Sequence, residues 1–434
     1  MISREGGRPV AKTKDKLQRL DKSIRNQWSR LDADPQLSTR EKLDRLVRSR
    51  LPKTESPLPE SGSGRLSGDI PPFLERQYTY ADSARFGRFA IGDLKRARPG
   101  EMKILTGDNE WRKIDPRAML FFDTETTGLA GGTGTLAFML GFGFLDDSGF
   151  QVRIFVLSDL NREHEFLERV DAFLEERSPS AGVTYNGKCF DYPLMETRYI
   201  LQRRRFPLLE LPHLDFLYPA RTIWRHTYPS RRLGYLGDIL LGLSRQDDVN
   251  GADIPRLYFD YLRSGDLSCL EVVMEHNALD LLGLALLVNL AAMYIEDVSH
   301  TRDEGEILGT ARLLENAGSL EAAVERLETV RAVAERHDVQ ALALRRLSLI
   351  RKKRKLYGEA LALWEELRGM GDPRAVRELS IHYEHREKDY QRALDLVRAA
   401  LATGDLSLPQ QEDLEHRLQR LTRKLARLES ADGT

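Results

Sequence analysis

Cysteine is nearly missing, with two residues in 434. Two thiols cannot make a disulfide framework, and their scarcity fits a reducing compartment, so a cytoplasmic protein is expected. Long apolar runs are also missing. The best candidate, residues 281–295, falls short of the ~18 uninterrupted apolar residues that a span needs and carries Asn289. No membrane partner is expected. The opening MISREGGRPVAKTK has no apolar core behind its charges and does not read as a secretory signal. Glycine (32) and proline (18) stand near their usual shares, which excludes collagen-like and low-complexity classes.

With 41% apolar and 31% charged residues, the chain can bury a core, and its length suggests two or three domains at roughly 150 residues each. A charge excess of one sign is lacking overall, since 66 basic residues face 67 acidic ones. Residues 1–50 nevertheless hold 14 Lys and Arg against 7 Asp and Glu, while residues 51–310 hold 29 against 39. A basic arm on an acidic middle fits a polyanionic partner for the arm, and it equally fits a solvated, partly helical tail. The acidic middle suits nucleic acid only if bound cations offset its charge.

The pattern divides the chain in three. Residues 1–72 read as a basic, partly helical arm ending in a Pro/Ser/Gly-rich flexible linker at 51–72. Residues 73–300 read as an α/β domain with a mixed sheet. Short strands are expected at 77–80, 87–91, 102–105, 119–122, 135–145, 152–157 and 182–185. Helices are expected at 163–176 and 193–201, with a long buried one at 270–294. Residues 301–434 carry no strand signal. They contain three similar segments, Leu320-Glu-Ala-Ala323, Tyr357-Gly-Glu-Ala360 and Tyr390-Gln-Arg-Ala393. A period near 34 with a small residue at the helix crossing resembles tetratricopeptide repeats, and a plain array of helical hairpins is the alternative. Either is an all-α solenoid, a module for a protein partner or for bracing.

The densest chemical signal is Phe121-Phe-Asp123-Thr-Glu125-Thr-Thr-Gly128-Leu129. Residues two apart on a strand share a face, so Asp123 and Glu125 project together from the end of an apolar strand. Adjacent carboxylates repel, and a divalent cation stabilises both in ionised form. A second element is Asn186-Gly-Lys-Cys-Phe190-Asp191-Tyr-Pro193, where Asp191 lies at a strand-to-helix junction, either as a ligand or as an ordinary N-cap. A third is Glu275-His276-Asn277-Ala-Leu-Asp280 inside the long apolar helix. His276 and Asp280 stand four apart on one face. A carboxylate in so apolar a helix is costly unless it is paired or bound to metal.

Together these elements resemble the DEDD exonuclease superfamily with its ribonuclease H-like fold, and look most like the bacterial YprB-like predicted exonucleases. The resemblance covers roughly residues 75–300, and Arg221, Trp224 and the run from Asp253 to Gly265 share in it. It implies a ribonuclease H-like mixed sheet flanked by helices, with Asp123, Glu125, Asp191 and Asp280 holding two Mg²⁺ or Mn²⁺. It also implies a 3′–5′ exonuclease acting on nucleic acid. Family members carry a Tyr four residues before the last Asp or a His five before it. Here His276 takes the tyrosine's place with the histidine's chemistry, as the group that receives a proton from water. The resemblance further implies substrate contacts from Thr126, Leu129 and Asn186, with Arg221 and Trp224 as further nucleic-acid contacts. Local turn structure is the other reading of the first three. An endonuclease of the same fold, or a catalytically silent scaffold, remains open.

Other features carry less chemistry. Gly131-Gly-Thr-Gly134 lacks the Lys-Ser/Thr of a phosphate loop. His213-Leu-Asp215 follows a proline and reads as a structural contact, with an added ligand as the other reading. The cluster Arg203–Arg205 and the run Arg351-Lys-Lys-Arg-Lys355 fit solvated helix faces or nucleic-acid contacts.

Overall fold

The computed structural model describes residues 71–96, 98–128, 134–243, 249–403 and 406–432. The basic arm and nearly all of the linker therefore lie outside the described residues.

Six strands form the main sheet: β1 (Phe73–Ala81), β4 (Met119–Thr126), β5 (Ala137–Asp146), β6 (Gly149–Leu157), β7 (Ala181–Thr184) and β8 (His213–Asp215). Their order is β1-β6-β5-β4-β7-β8. The first four pair antiparallel, and β7 and β8 join parallel to β4. This is a ribonuclease H-like mixed sheet with one added edge strand. The hairpin between β5 and β6 is tight because Asp146 Oδ1 accepts from the backbone N–H of Ser148 and Gly149. A small hairpin, β2 (Arg85–Phe86) with β3 (Phe89–Ala90), lies outside the sheet. Residues 102–105, expected as a strand, are part of helix α1 (Pro99–Thr106). Proline opens this helix, Gly107 closes it in a left-handed conformation, and Met102 and Leu105 bury one helical face.

Alternation along the strands gives the sheet two apolar faces. Leu120, Phe122, Leu140 and Phe142 face α2 (Glu163–Arg177) and α3 (Asp191–Leu201). Met119, Phe121, Met139, Ile154 and Val183 face the opposite layer, whose main element is α7 (Ser268–Glu296). By length and composition α7 could cross a membrane, beyond what residues 281–295 alone suggest. Most of it is instead buried in this core. Three further helices complete the domain: α4 (Leu217–Ile223), α5 (Leu233–Leu236) and α6 (Ile254–Ser264).

The C-terminal region is helical throughout. Three antiparallel hairpins follow one another: α8 (Glu304–Asn316) with α9 (Leu320–Val333), α10 (His337–Lys353) with α11 (Tyr357–Gly369), and α12 (Pro373–His382) with α13 (Tyr390–Thr403). A last helix, α14 (Leu408–Asp432), closes the array. The three recurring alanines, Ala323, Ala360 and Ala393, occupy the first turn of the second helix of each hairpin and are fully buried. The five-charge run is largely paired across helices, with Arg351 on Glu328 and Glu359, Lys352 on Glu378 and Arg354 on Glu321. Of the triple arginine, Arg204 holds Asp171 and Glu168, and Arg205 holds Glu210.

Candidate active site

Strand β4 is apolar and buried as far as Phe122, then turns half-exposed from Asp123 onward. Asp123 and Glu125 thus stand where the strand emerges from the core, on the side covered by α7. A register shift follows between Glu125 and Thr126, which re-aims the chain end.

A polar contact joins helix α7 to this strand. Asn277 Nδ2 donates to Asp123 Oδ2 at 2.8 Å, across 154 residues of sequence. The contact needs room, and Gly141 supplies it. Gly141 pairs with Asp123 on β5, and a Cβ there would lie 1.8 Å from Asn277 Oδ1. That Oδ1 is buried with no hydrogen-bond partner among the described residues. One turn on from Asn277, Asp280 presents Oδ2 to His276 Nε2 at 3.2 Å, with both side chains about seven-eighths buried (14% and 15% exposed). Asn277 is thus the α7 residue seen in contact with β4, and His276 and Asp280 lie within one turn of it along the helix.

Helix α3 reaches the same strand from the other face. Asp191 is its first residue, and the N-cap is Phe190. Asp191 therefore does not cap the helix. Its Oδ1 accepts from Thr124 Oγ1 at 2.6 Å, between Asp123 and Glu125 in the chain. Asp191 is only 6% exposed. Burial pushes its carboxyl up to about 6, against the lowering pull of the Thr124 hydroxyl and nearby backbone N–H groups, and the Asp215 charge adds to the rise.

The turn before α3 is held from β8. Asp215, 2% exposed, accepts at Oδ1 from the backbone N–H of Asn186 (2.7 Å) and Leu217 (3.1 Å), and at Oδ2 from that of Lys188 (3.2 Å). Asn186 sits in the left-handed region at φ 72°, which that anchor stabilises. Beneath it, His213 stacks on the Tyr192 ring at 3.8 Å and bonds Thr184 Oγ1 at 2.8 Å. The structural reading of His213 and Asp215 holds.

The remaining expected contacts divide. Thr126 Oγ1 donates to Gly128 O at 2.9 Å, a local turn bond. Leu129 lies outside the described residues. Arg221 is exposed on α4. Trp224 is a correction: it is 0% exposed, edge-on to Phe216 and Tyr294 in the core, and offers no face to a base. Among the described residues, no group of three or more His, Cys, Asp or Glu side chains forms a ready metal cage. Asn277, Thr124, Asp215 and Gly141 were not read as parts of the site from sequence. The Asn in the His-Asn-x-x-Asp segment and the Thr inside Asp-x-Glu were in plain view, but their partners are distant in the chain.

Residues 120–292 match the RNase_H_2 family of the RNase_H superfamily. That stretch runs from β4 through most of α7, and it points to nucleic-acid-processing nuclease chemistry. Among solved structures, the family B DNA polymerase from the hyperthermophilic archaeon Pyrobaculum calidifontis aligns with 46% of this chain at 16% identity and a TM-score of 0.29. The chain spans 29% of that polymerase. The "Uncharacterized protein YprB" of Bacillus subtilis (strain 168) is 33% identical over 363 residues, which are 81% of this chain and 86% of that protein. At that identity and coverage, the chain belongs to the YprB family, built on a ribonuclease H-like domain.

Proposed function

We propose that this protein is a divalent-metal-dependent nuclease, and that it works as a 3′–5′ exonuclease on DNA or RNA. The observation that carries the reading is the meeting of three distant segments on one short stretch of β4. Asn277 reaches Asp123 from α7, and Asp191 reaches Thr124 from α3.

The donor chemistry fits hard cations. Asp123, Glu125, Asp191 and Asp280 offer only carboxylate oxygens, which suit Mg²⁺ or Mn²⁺ better than zinc. Asp191 is out of water, and a nearby cation would favour its ionised form. These four residues would hold two such ions, which when bound supply an acidified water and neutralise charge on the phosphoryl oxygens. The chain's own groups do the rest. Asn277 orients the Asp123 carboxylate. The His276 ring receives the proton that water gives up, and Asp280, 3.2 Å away, balances the charge that results. Thr126 ends β4 next to Glu125 and Asn186 sits in the turn before Asp191, where a strand end would rest. The helical hairpins serve as a tetratricopeptide-like surface for a protein partner or as a brace.

The test is hydrolysis in Mn²⁺ of single-stranded DNA, duplex DNA and RNA, labelled at either end, by wild type and Asp123→Asn. Stepwise loss from the 3′ end, abolished by the substitution, is expected. No hydrolysis of any substrate, with no melting shift at millimolar Mn²⁺, would overturn the reading in favour of a silent scaffold.

A further inference from the structure

The packing of α8 on α4 makes a surface that neither helix has alone. Helix α4 carries an exposed stripe, Tyr218, Arg221 and, just past its end, Arg225. Tyr218 and Arg221, three apart, share a face of the helix at about 5–6 Å, and Arg225 follows, also exposed, in the turn after it. At one end of the stripe, the Lys188 ammonium lies 5.9 Å from the centre of the Tyr218 ring, three residues before Asp191. At the other end, α8 crosses α4 almost backbone to backbone. A Cβ on Gly309 would lie 2.3 Å from the Ile223 carbonyl oxygen. That crossing brings Arg312, one turn beyond Gly309, up to Arg225, two residues beyond Ile223. Burial first, and then the Arg346 and Arg225 charges, hold the Arg312 guanidinium below its usual range, against the opposing pull of Glu315. Arg346 is tied to Glu315 at 2.5 Å. Arg221, Arg225 and Arg312 form no ion pair among the described residues. Guanidinium groups in a row that form no ion pair among the described residues, with an aromatic ring half open to solvent (Tyr218, 49% exposed), match the phosphates and bases of a single strand.

We infer that a single-stranded nucleic acid leaves the catalytic turn past Lys188 and Tyr218, follows Arg221 and Arg225, and continues onto the helical module at Arg312. This rests on the nuclease reading for the identity of the strand. It goes beyond that reading by making the C-terminal helices part of the substrate path. A short oligonucleotide fits within the part nearest Asp191, whereas a longer one also reaches Arg225 and Arg312.

The experiment measures fluorescence anisotropy of labelled 5-mer and 20-mer single strands with the full chain in EDTA. Wild type is compared with the Arg225→Glu/Arg312→Glu pair and the Arg225→Lys/Arg312→Lys pair. In wild type the 20-mer binds more tightly than the 5-mer. The glutamate pair cuts that advantage tenfold or more and flattens the salt dependence of 20-mer binding. The lysine pair keeps most of both, which separates loss of charge from loss of fold. An unchanged 20-mer advantage in a folded glutamate pair overturns the path, as does a wild type with no such advantage. A parallel Mn²⁺ digestion of the same 5-mer by wild type keeps the two ideas distinct. Intact 5-mer beside a charge-dependent 20-mer advantage sinks the nuclease reading and supports the path.

Discussion

Asn277 donates from Nδ2 to the Asp123 carboxylate at 2.8 Å, joining the helix that carries His276 and Asp280 to the strand that carries Glu125. A hydrogen bond to a charged group contributes about 1.5–3 kcal/mol. Asn277→Ala should therefore lower unfolding free energy by about that amount in urea titrations. It should also lower turnover, because Asp123 loses a constraint on its orientation. A variant with wild-type stability and turnover would show that the contact does not position the carboxylate.

Gly141 is the space behind that contact. An alanine there meets Asn277 Oδ1 at 1.8 Å and a Leu281 methyl at 2.8 Å. Strand or helix must shift, at a cost of about 1–3 kcal/mol. Gly141→Ala should lower the melting temperature and reduce activity together, while Gly141→Ala/Asn277→Gly should recover part of the stability. Double-mutant unfolding curves give the coupling, and simple additivity would refute the contact.

His276 separates chemistry from metal binding. His276→Ala should lower turnover by roughly 10²–10⁴ and leave the Mn²⁺-induced melting shift nearly intact. Unchanged turnover would assign His276 a structural role. A circular single strand tests the mode of attack on the same enzyme, since only an endonuclease cuts it.

His213 carries a pH signature of its own. Burial first, and then the Lys188 charge, push its imidazole down to about 4. The unfolded value is near ~6.5. The fold thus favours the neutral ring. Its contribution is complete above about pH 6.5 and is lost as pH falls through about 4. Urea unfolding in EDTA between pH 7.5 and 4 should show stability declining over that window. His213→Phe, which keeps a ring against Tyr192, should decline less steeply. Equal slopes would place the acid sensitivity elsewhere.

The parts of this fold that obey a local period were readable in the sequence. Met119–Phe122 is an apolar run of strand length, and its Asp-x-Glu ending places two carboxylates on one face by alternation alone. The helix at 268–296 was equally plain from its apolar content. Residues 102–105 were misread because a short apolar run suits either period, although Met102 and Leu105 stand at helical spacing between a proline and a left-handed glycine. What depends on tertiary neighbours was not readable. Trp224 between arginines suggests a stacking platform until its burial is known. The 351–355 charges suggest a free patch until their partners on adjacent helices are in place. Asp191 next to a helix start suggests a cap until Thr124 is found within reach.

Leu313, Leu314 and Ala323 belong to the same apolar cluster as Trp224 and the long central helix. The C-terminal array is therefore rooted in the nuclease domain rather than appended to it. Severing the chain ahead of α8 would strip a greasy wound onto the remaining fragment. Such a fragment should be prone to clump, so tests of catalysis and of strand binding belong on the intact polypeptide.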